Sequence, residues 1–106
     1  MDSGGALSIE VAADTSVVVV ALRGELDLAG CDDVEPVLLA TLETADEVVV
    51  DLGNVTFCDS SGLAMFLNTH AAAERAGKRL LLRNLLPNVW RIVEVCGLDQ
   101  HLDIAR

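Results

Sequence analysis

The stretch Val48-Val49-Val50-Asp51-Leu52-Gly53-Asn54-Val55-Thr56-Phe57-Cys58-Asp59-Ser60-Ser61-Gly62-Leu63 constrains the fold more than any other part of the chain. Three successive valines within Glu47 to Asp51 suit a strand covered on both faces. A short loop is predicted after it, followed by a helix that starts near Ser60 or Ser61 and runs to about Ala76. That helix opens on Ser60, Ser61 and Gly62 in a row. Glycine inside a helix costs about 1 kcal/mol relative to alanine. A chain tolerates it where something must come close to the backbone.

The rest of the chain supplies strands and helices in alternation. Leu7 to Val11 alternates weakly and reads as an edge strand, and Asp14-Thr15 is a turn signal. Ser16 to Leu22 is valine-rich and reads as a buried strand that Gly24-Glu25-Leu26-Asp27 ends. The first helix is predicted from Asp32 or Asp33 to Thr44, with Asp32 and Glu35 at capping-box spacing and Val34, Val37, Leu38 and Leu42 on one stripe. Pro36 fits only near that start, and a helix beginning at Ala29 would be bent by it.

Leu63, Phe66, Leu67, His70 and Ala71 form the stripe of the second helix, which Gly77 ends. Arg79 to Leu82 reads as a strand. A third helix starts at Pro87-Asn88 and stops at Gly97, and Leu102 to Ile104 is a short strand or a packed tail. The predicted fold is α/β: a single domain over residues 1–106, with a mixed sheet of four to five strands and helices packed mainly on one face.

Bulk properties narrow the function. At 52% hydrophobic residues the chain builds a real core, an aliphatic one, since it has two Phe, one Trp and no Tyr. The longest apolar run, Val17 to Leu22, is far below the ~18 residues of a membrane span. Met1-Asp2-Ser3-Gly4-Gly5 has neither a basic region nor an apolar signal core, so the expected location is the cytoplasm. Net charge is −10, with one base (Arg23) before residue 75 and six from Arg75 onward. Phosphate contacts need cations, which argues against nucleic acid as a direct partner. Cys31, Cys58 and Cys96 are far apart with no CxxC pair, so they read as mostly buried thiols rather than a zinc site or a disulfide framework.

Enzymatic readings lack parts. Ser60 or Ser61 would need a base, and the histidines are His70 and His101. His70 lies nine residues past Ser61, roughly 13 Å along the helix and on the opposite face. Cys58 precedes a helix N-terminus, which can lower a thiol pKa, but the same base is missing. Asp51 and Asp59 have no third ligand at metal-site spacing and read as turn and cap residues. There is no glycine-rich nucleotide cradle, and no cofactor is expected. His70 and Trp90 read as core or half-buried residues.

At a helix N-terminus the free N–H groups and the macrodipole favour anions, so a phosphate on the serine pair would be held by its own helix. Its −1.5 to −2 charges and its bulk would act outward, against a docked partner. Simple capping by Asp59 or Ser60 explains the same residues, and the motif alone leaves both readings open.

The run from Val50 to Leu63, with Asp59-Ser60-Ser61-Gly62 at its end, resembles the signature of STAS domains, in particular the bacterial anti-sigma factor antagonists. Gly24-Glu25-Leu26-Asp27 resembles their G-E-L/I-D segment, and Gly97-Leu98-Asp99 their G-L-x. The resemblance implies a non-enzymatic switch. An unmodified antagonist binds an anti-sigma factor serine kinase and frees a sigma factor. Phosphorylation of the first serine, here Ser60, breaks the complex, and a phosphatase resets it. Asp59, Ser61 and Gly62 would belong to the docking surface, with Glu25 and Asp27 near the same end. Some STAS domains serve instead as scaffolds of signalling assemblies or as accessory subunits of lipid transporters. Cys58 and Gly30-Cys31-Asp32-Asp33 depart from the family pattern, which bears on partner specificity.

Overall fold

The computed structural model of the protein describes residues 7–14 and 16–105. The lead segment Met1 to Gly5 and Thr15 of the predicted turn lie outside them. The described elements are β1 (Ser8–Asp14), β2 (Val17–Leu26), α1 (Leu28–Thr44), β3 (Glu47–Cys58), α2 (Ser60–Arg75), β4 (Arg79–Arg83), α3 (Pro87–Val95), a short 3-10 turn (Leu98–Gln100) and β5 (Asp103–Ile104). The strands lie side by side in chain order. β1 runs antiparallel to β2, and every later pair is parallel.

That order decides where the helices go. Each of α1, α2 and α3 connects one parallel strand to the next in the same direction. Right-handed crossovers that keep stepping one way put all their helices on one face. The burial pattern agrees: Val18, Val20, Leu22, Val48, Val50, Leu52, Leu80 and Leu82 are buried with Val34, Leu38, Phe66, Val89 and Val93 from the helices. Thr69 is buried in this core with its hydroxyl donating to the carbonyls of Met65 and Phe66 at 2.9 and 3.1 Å. The core is aliphatic around a single buried Phe66, and Trp90 packs half-buried at its margin.

Four expectations are corrected. Helix α1 starts at Leu28, four or more residues before the predicted Asp32 or Asp33, because Asp27 caps it and accepts from the Gly30 N–H at 2.9 Å. Pro36 therefore sits inside the helix. It lacks the N–H that would bond the Asp32 carbonyl, and both residues face solvent, where water can serve that carbonyl. No loop follows Asp51: β3 continues to Cys58 and pairs with β2 through two register shifts. Gly53-Asn54 sits at a bulge that re-aims the strand rather than at a turn. In α2 the buried side holds Gly62, Leu63, Met65, Phe66, Thr69 and Ala73, so Leu67, His70 and Ala71 lie at its half-buried margin. Finally, Cys31 and Cys58 are buried but Cys96 is exposed.

Candidate functional site

The extended β2 and β3 finish next to each other: Leu26 pairs with Cys58, and the Asp59 N–H donates to the Leu26 carbonyl at 3.1 Å. Each strand leads through one aspartate into a helix. Two helix N-termini thus open side by side at one end of the sheet. Gly24 makes the local path possible, since its φ of 121° is one that residues with side chains rarely adopt.

The two helix starts repeat one device. Asp27-Leu28-Ala29-Gly30 begins α1 and Asp59-Ser60-Ser61-Gly62 begins α2. In both, an extended aspartate is the N-cap and its carboxylate accepts from the glycine N–H, at 2.9 Å from Gly30 and 3.3 Å from Gly62. Asp59 Oδ1 also accepts from the Ser61 N–H at 2.9 Å. In both, the glycine is buried against backbone. A Cβ on Gly30 would come to 2.9 Å from the Glu25 carbonyl oxygen, and one on Gly62 to 3.3 Å from that of Leu26.

This geometry corrects two expectations. Gly62 is not part of the exposed surface: its close neighbours are Cys58 and Leu26 of the same chain, so internal packing explains the glycine. The Ser61 and Gly62 N–H groups are not free for a phosphate, because the Asp59 carboxylate already holds them. Asp27 is likewise engaged as the α1 cap and half-buried, whereas Glu25 is exposed.

Ser60 is exposed at the first position of α2, and Ser61 is half-buried beside it. Leu28 holds the equivalent first position of α1 and is 65% exposed. Phe57, the strand partner of Glu25, is 43% exposed. Nothing in the local pattern around Leu28 or Phe57 marks either as a surface residue. The signal that finds them is the repeated Asp-x-x-Gly, which places both chain segments at one end.

Neither candidate nucleophile is supplied with a base. His70 and His101 share a cavity of about 550 Å³ with Leu67, Ala71, Leu98 and Leu102. That cavity is flanked by the later turns of α2, away from Ser60. His70 Nε2 is 3.5 Å from Glu74, and its Nδ1 is buried without a hydrogen-bond partner. The expected lowering of the Cys58 thiol is reversed. Burial, then Cys31 and the Asp59 carboxylate, push it up to about 12. Burial and the surrounding carboxylates, Asp59 and Asp27 foremost, push Cys31 up to about 11.

Asp51 and Asp59 are not a pair. Asp51 lies mid-strand, where it accepts from the Gly53 N–H at 2.9 Å, the Asn84 amide at 3.2 Å and Arg83 Nε at 3.3 Å. Burial acts to raise its pKa, but these donors outweigh it and hold the carboxyl below its ordinary value. Among the described residues no cluster of three or more potential ligands could hold a metal ion. No helix among them is long and apolar enough to cross a membrane.

Comparison with known proteins bears on this arrangement. Residues 9–104 match the family described as "Mlab, STAS domain". The anti-sigma-B factor antagonist of Staphylococcus epidermidis is 31% identical over 99 residues, which cover 92% of each chain. The anti-sigma factor antagonist SpoIIAA in its unphosphorylated form superposes with a TM-score of 0.79 at 22% identity, over 93% of this chain and 89% of that one. SpoIIAA of Bacillus in its phosphorylated form gives 0.72 at 22% identity, over 93% and 92%.

Proposed function

The chain belongs to the STAS domain family, and from that premise we propose that it is an anti-sigma factor antagonist, a binding module rather than an enzyme. Its partner is an anti-sigma factor serine kinase. Docking at the end that carries Ser60 releases a sigma factor, and a phosphatase reverses the modification that ends docking. The observation that carries this reading is the exposed Ser60 at the first position of α2, with exposed Leu28, Phe57 and Glu25 at the same end of the sheet.

Ser60 is the proposed phosphate acceptor. The modification leaves the helix in place, because Asp59 is the cap and Ser60 is not needed for it. The new charge stands beside the Asp59 carboxylate, so the phosphate is not neutralised by its own chain. It therefore presents nearly its full −1.5 to −2 charge to the partner. Close apposition of that charge with an apolar surface around Leu28 and Phe57 costs desolvation and contact together. Asp59 and Ser61 shape the same surface, and Glu25 and Asp27 border it.

The test is to mix the protein with a candidate kinase and ATP, locate the phosphate by mass spectrometry, and measure binding of two variants. Ser60→Ala should bind as the unmodified protein does and take no phosphate. Ser60→Asp should bind ~10-fold or more weakly, as like-charge and desolvation effects at a docked surface imply. Equal affinity of the two variants would sink the switch. Absence of phosphorylation together with a stable complex with transporter subunits would favour an accessory-subunit role instead.

A further inference from the structure

On the side of the sheet away from the helices there is a cavity of about 300 Å³, lined by Ser8, Glu10, Ala21, Arg23 and Asn54. Strand register fixes how these residues stand. Ser8, Arg23 and Asn54 form one row across β1, β2 and β3, and Glu10, Ala21 and Asp51 form the next. Glu10 and Arg23 are therefore diagonal neighbours on antiparallel strands, ~7–8 Å apart, a gap that long side chains can bridge. Yet no ion pair joins them. Among the described residues the side chains of Ser8, Glu10, Arg23 and Asn54 make no hydrogen bond at all. Asp51, on the other side of Ala21, differs, since Gly53, Asn84 and Arg83 all donate to it. Beside a small alanine, the cavity thus presents one unpaired cation, flanked by a hydroxyl and an amide, and one unpaired carboxylate.

Charge decides what such a site takes. A free anion would compensate Arg23 but would meet Glu10 and a chain of net charge −10. A simple cation would compensate Glu10 and leave Arg23 unserved. A small zwitterion pairs with both and brings no net charge into the field of the chain. The volume lies at the lower limit of small-ligand sites, which suits a molecule of amino-acid size.

We propose that this cavity binds a small polar α-amino acid. The Arg23 guanidinium holds its carboxylate, with the Ser8 hydroxyl and the Asn54 amide as further donors, and the Glu10 carboxylate holds its ammonium group. These contacts are partly solvated and few, so the complex is weak, with a Kd of about 1 mM. A site of that strength fills and empties with the concentration of its ligand. Its occupancy needs neither Ser60 nor a kinase.

An amide NMR titration of the full chain with L-serine up to ~20 mM, well above that Kd, tests it. Shifts should centre on Ser8, Glu10, Arg23 and Asn54. N-acetyl-L-serine, which lacks the ammonium group, and L-serinamide, which lacks the carboxylate, should each bind at least ~5-fold more weakly, as loss of one charged hydrogen-bonding group at a partly solvated site implies. Glu10→Gln and Arg23→Gln should weaken L-serine by a similar factor while their spectra elsewhere stay those of the wild type. Glu10→Gln should also cease to prefer L-serine over N-acetyl-L-serine, and Arg23→Gln should cease to prefer it over L-serinamide. Lost discrimination of that kind does not follow from a merely structural role of either residue. Absence of shifts at these four residues overturns the proposal. So do equal affinities of the wild type for the three compounds, folded variants that bind L-serine as the wild type does, or shifts confined to the cavity beside His70 and His101.

Discussion

The α-carbon of Gly62 rests against the thiol of Cys58 so closely that an added Cβ would stand 2.5 Å from Sγ. The same Cβ would lie 3.3 Å from the Cβ and the carbonyl oxygen of Leu26. Helix α2 can therefore start directly above the paired ends of β2 and β3 only because residue 62 has no side chain. The packing that places Ser60 is written in a glycine and a cysteine that never meet solvent.

Gly62→Ala should destabilise the fold, read as a lower urea midpoint with an unchanged slope. Overpacking a tight site costs typically 1–3 kcal/mol, against about 1 kcal/mol gained from helix propensity. The net expectation is a loss of ~1 kcal/mol or more. Cys58→Ala removes the nearest atom, so the double variant should be more stable than the two single losses sum to, by ~0.5 kcal/mol or more. Strict additivity would mean that the Leu26 carbonyl, not the thiol, sets the approach.

Asp51 gives the fold a pH-dependent contribution. Its carboxyl is held below the ordinary value in the folded protein by Gly53, Asn84 and Arg83. A group whose folded pKa is depressed binds fewer protons folded than unfolded, so its contribution is fully present above the unfolded pKa. It fades as pH falls from ~3.9 through the lower folded value. Asp51→Asn keeps an acceptor for the Gly53 N–H but loses the charge. The variant should be less stable at pH 7 by ~1 kcal/mol, as for a partly exposed charged hydrogen bond. The difference should shrink as unfolding is measured at pH 4 and then pH 3, and a difference that grows toward low pH would contradict the assigned cause.

The thiols should separate cleanly in a labelling experiment. Cys96 is exposed, whereas Cys31 and Cys58 are buried with pKa values pushed up to about 11 and about 12. The thiolate is the reactive species, so at pH 8 a thiol reagent should modify Cys96 quickly and the other two only as fast as the protein opens. Peptide mapping after brief labelling, with and without urea, reads this directly. Rapid folded-state labelling of Cys58 would revive a nucleophilic role for it.

Much of this was legible from the sequence, and the misses have physical reasons. Val48 to Val50, the valine-rich β2 and the α2 start at Ser60 are set by local patterns that the tertiary structure keeps. The true start of α1 was obscured because Asp32, Glu35 and Pro36 imitate a helix beginning, while Asp27 caps one only once β2 extends to Leu26. That extension depends on pairing with residues 54–58 of β3, and Gly53-Asn54 reads locally as a turn. The reason for Gly62 was out of reach for a similar cause. A sequence shows that a glycine leaves room, and only the fold shows that Cys58 and Leu26 already fill it.

Leu28 and Phe57 should carry a disproportionate share of the proposed kinase contact. They are large apolar residues left 65% and 43% exposed at the end that bears Ser60. The fold gains little from them there, since substitutions at exposed positions usually change stability by under ~0.5 kcal/mol. At a docked surface, by contrast, a few desolvated apolar or aromatic side chains supply most of the energy, each worth ~1 kcal/mol or more on truncation. Leu28→Ser and Phe57→Ser should therefore each weaken binding of the anti-sigma factor kinase about fivefold or more, by calorimetry, with urea midpoints close to wild type. Glu10→Lys, on the open sheet face, should leave that affinity nearly unchanged. If Leu28→Ser and Phe57→Ser both bind normally while Ser60→Asp does not, the contact reaches Ser60 from the α2 side, and the two exposed side chains stand outside it.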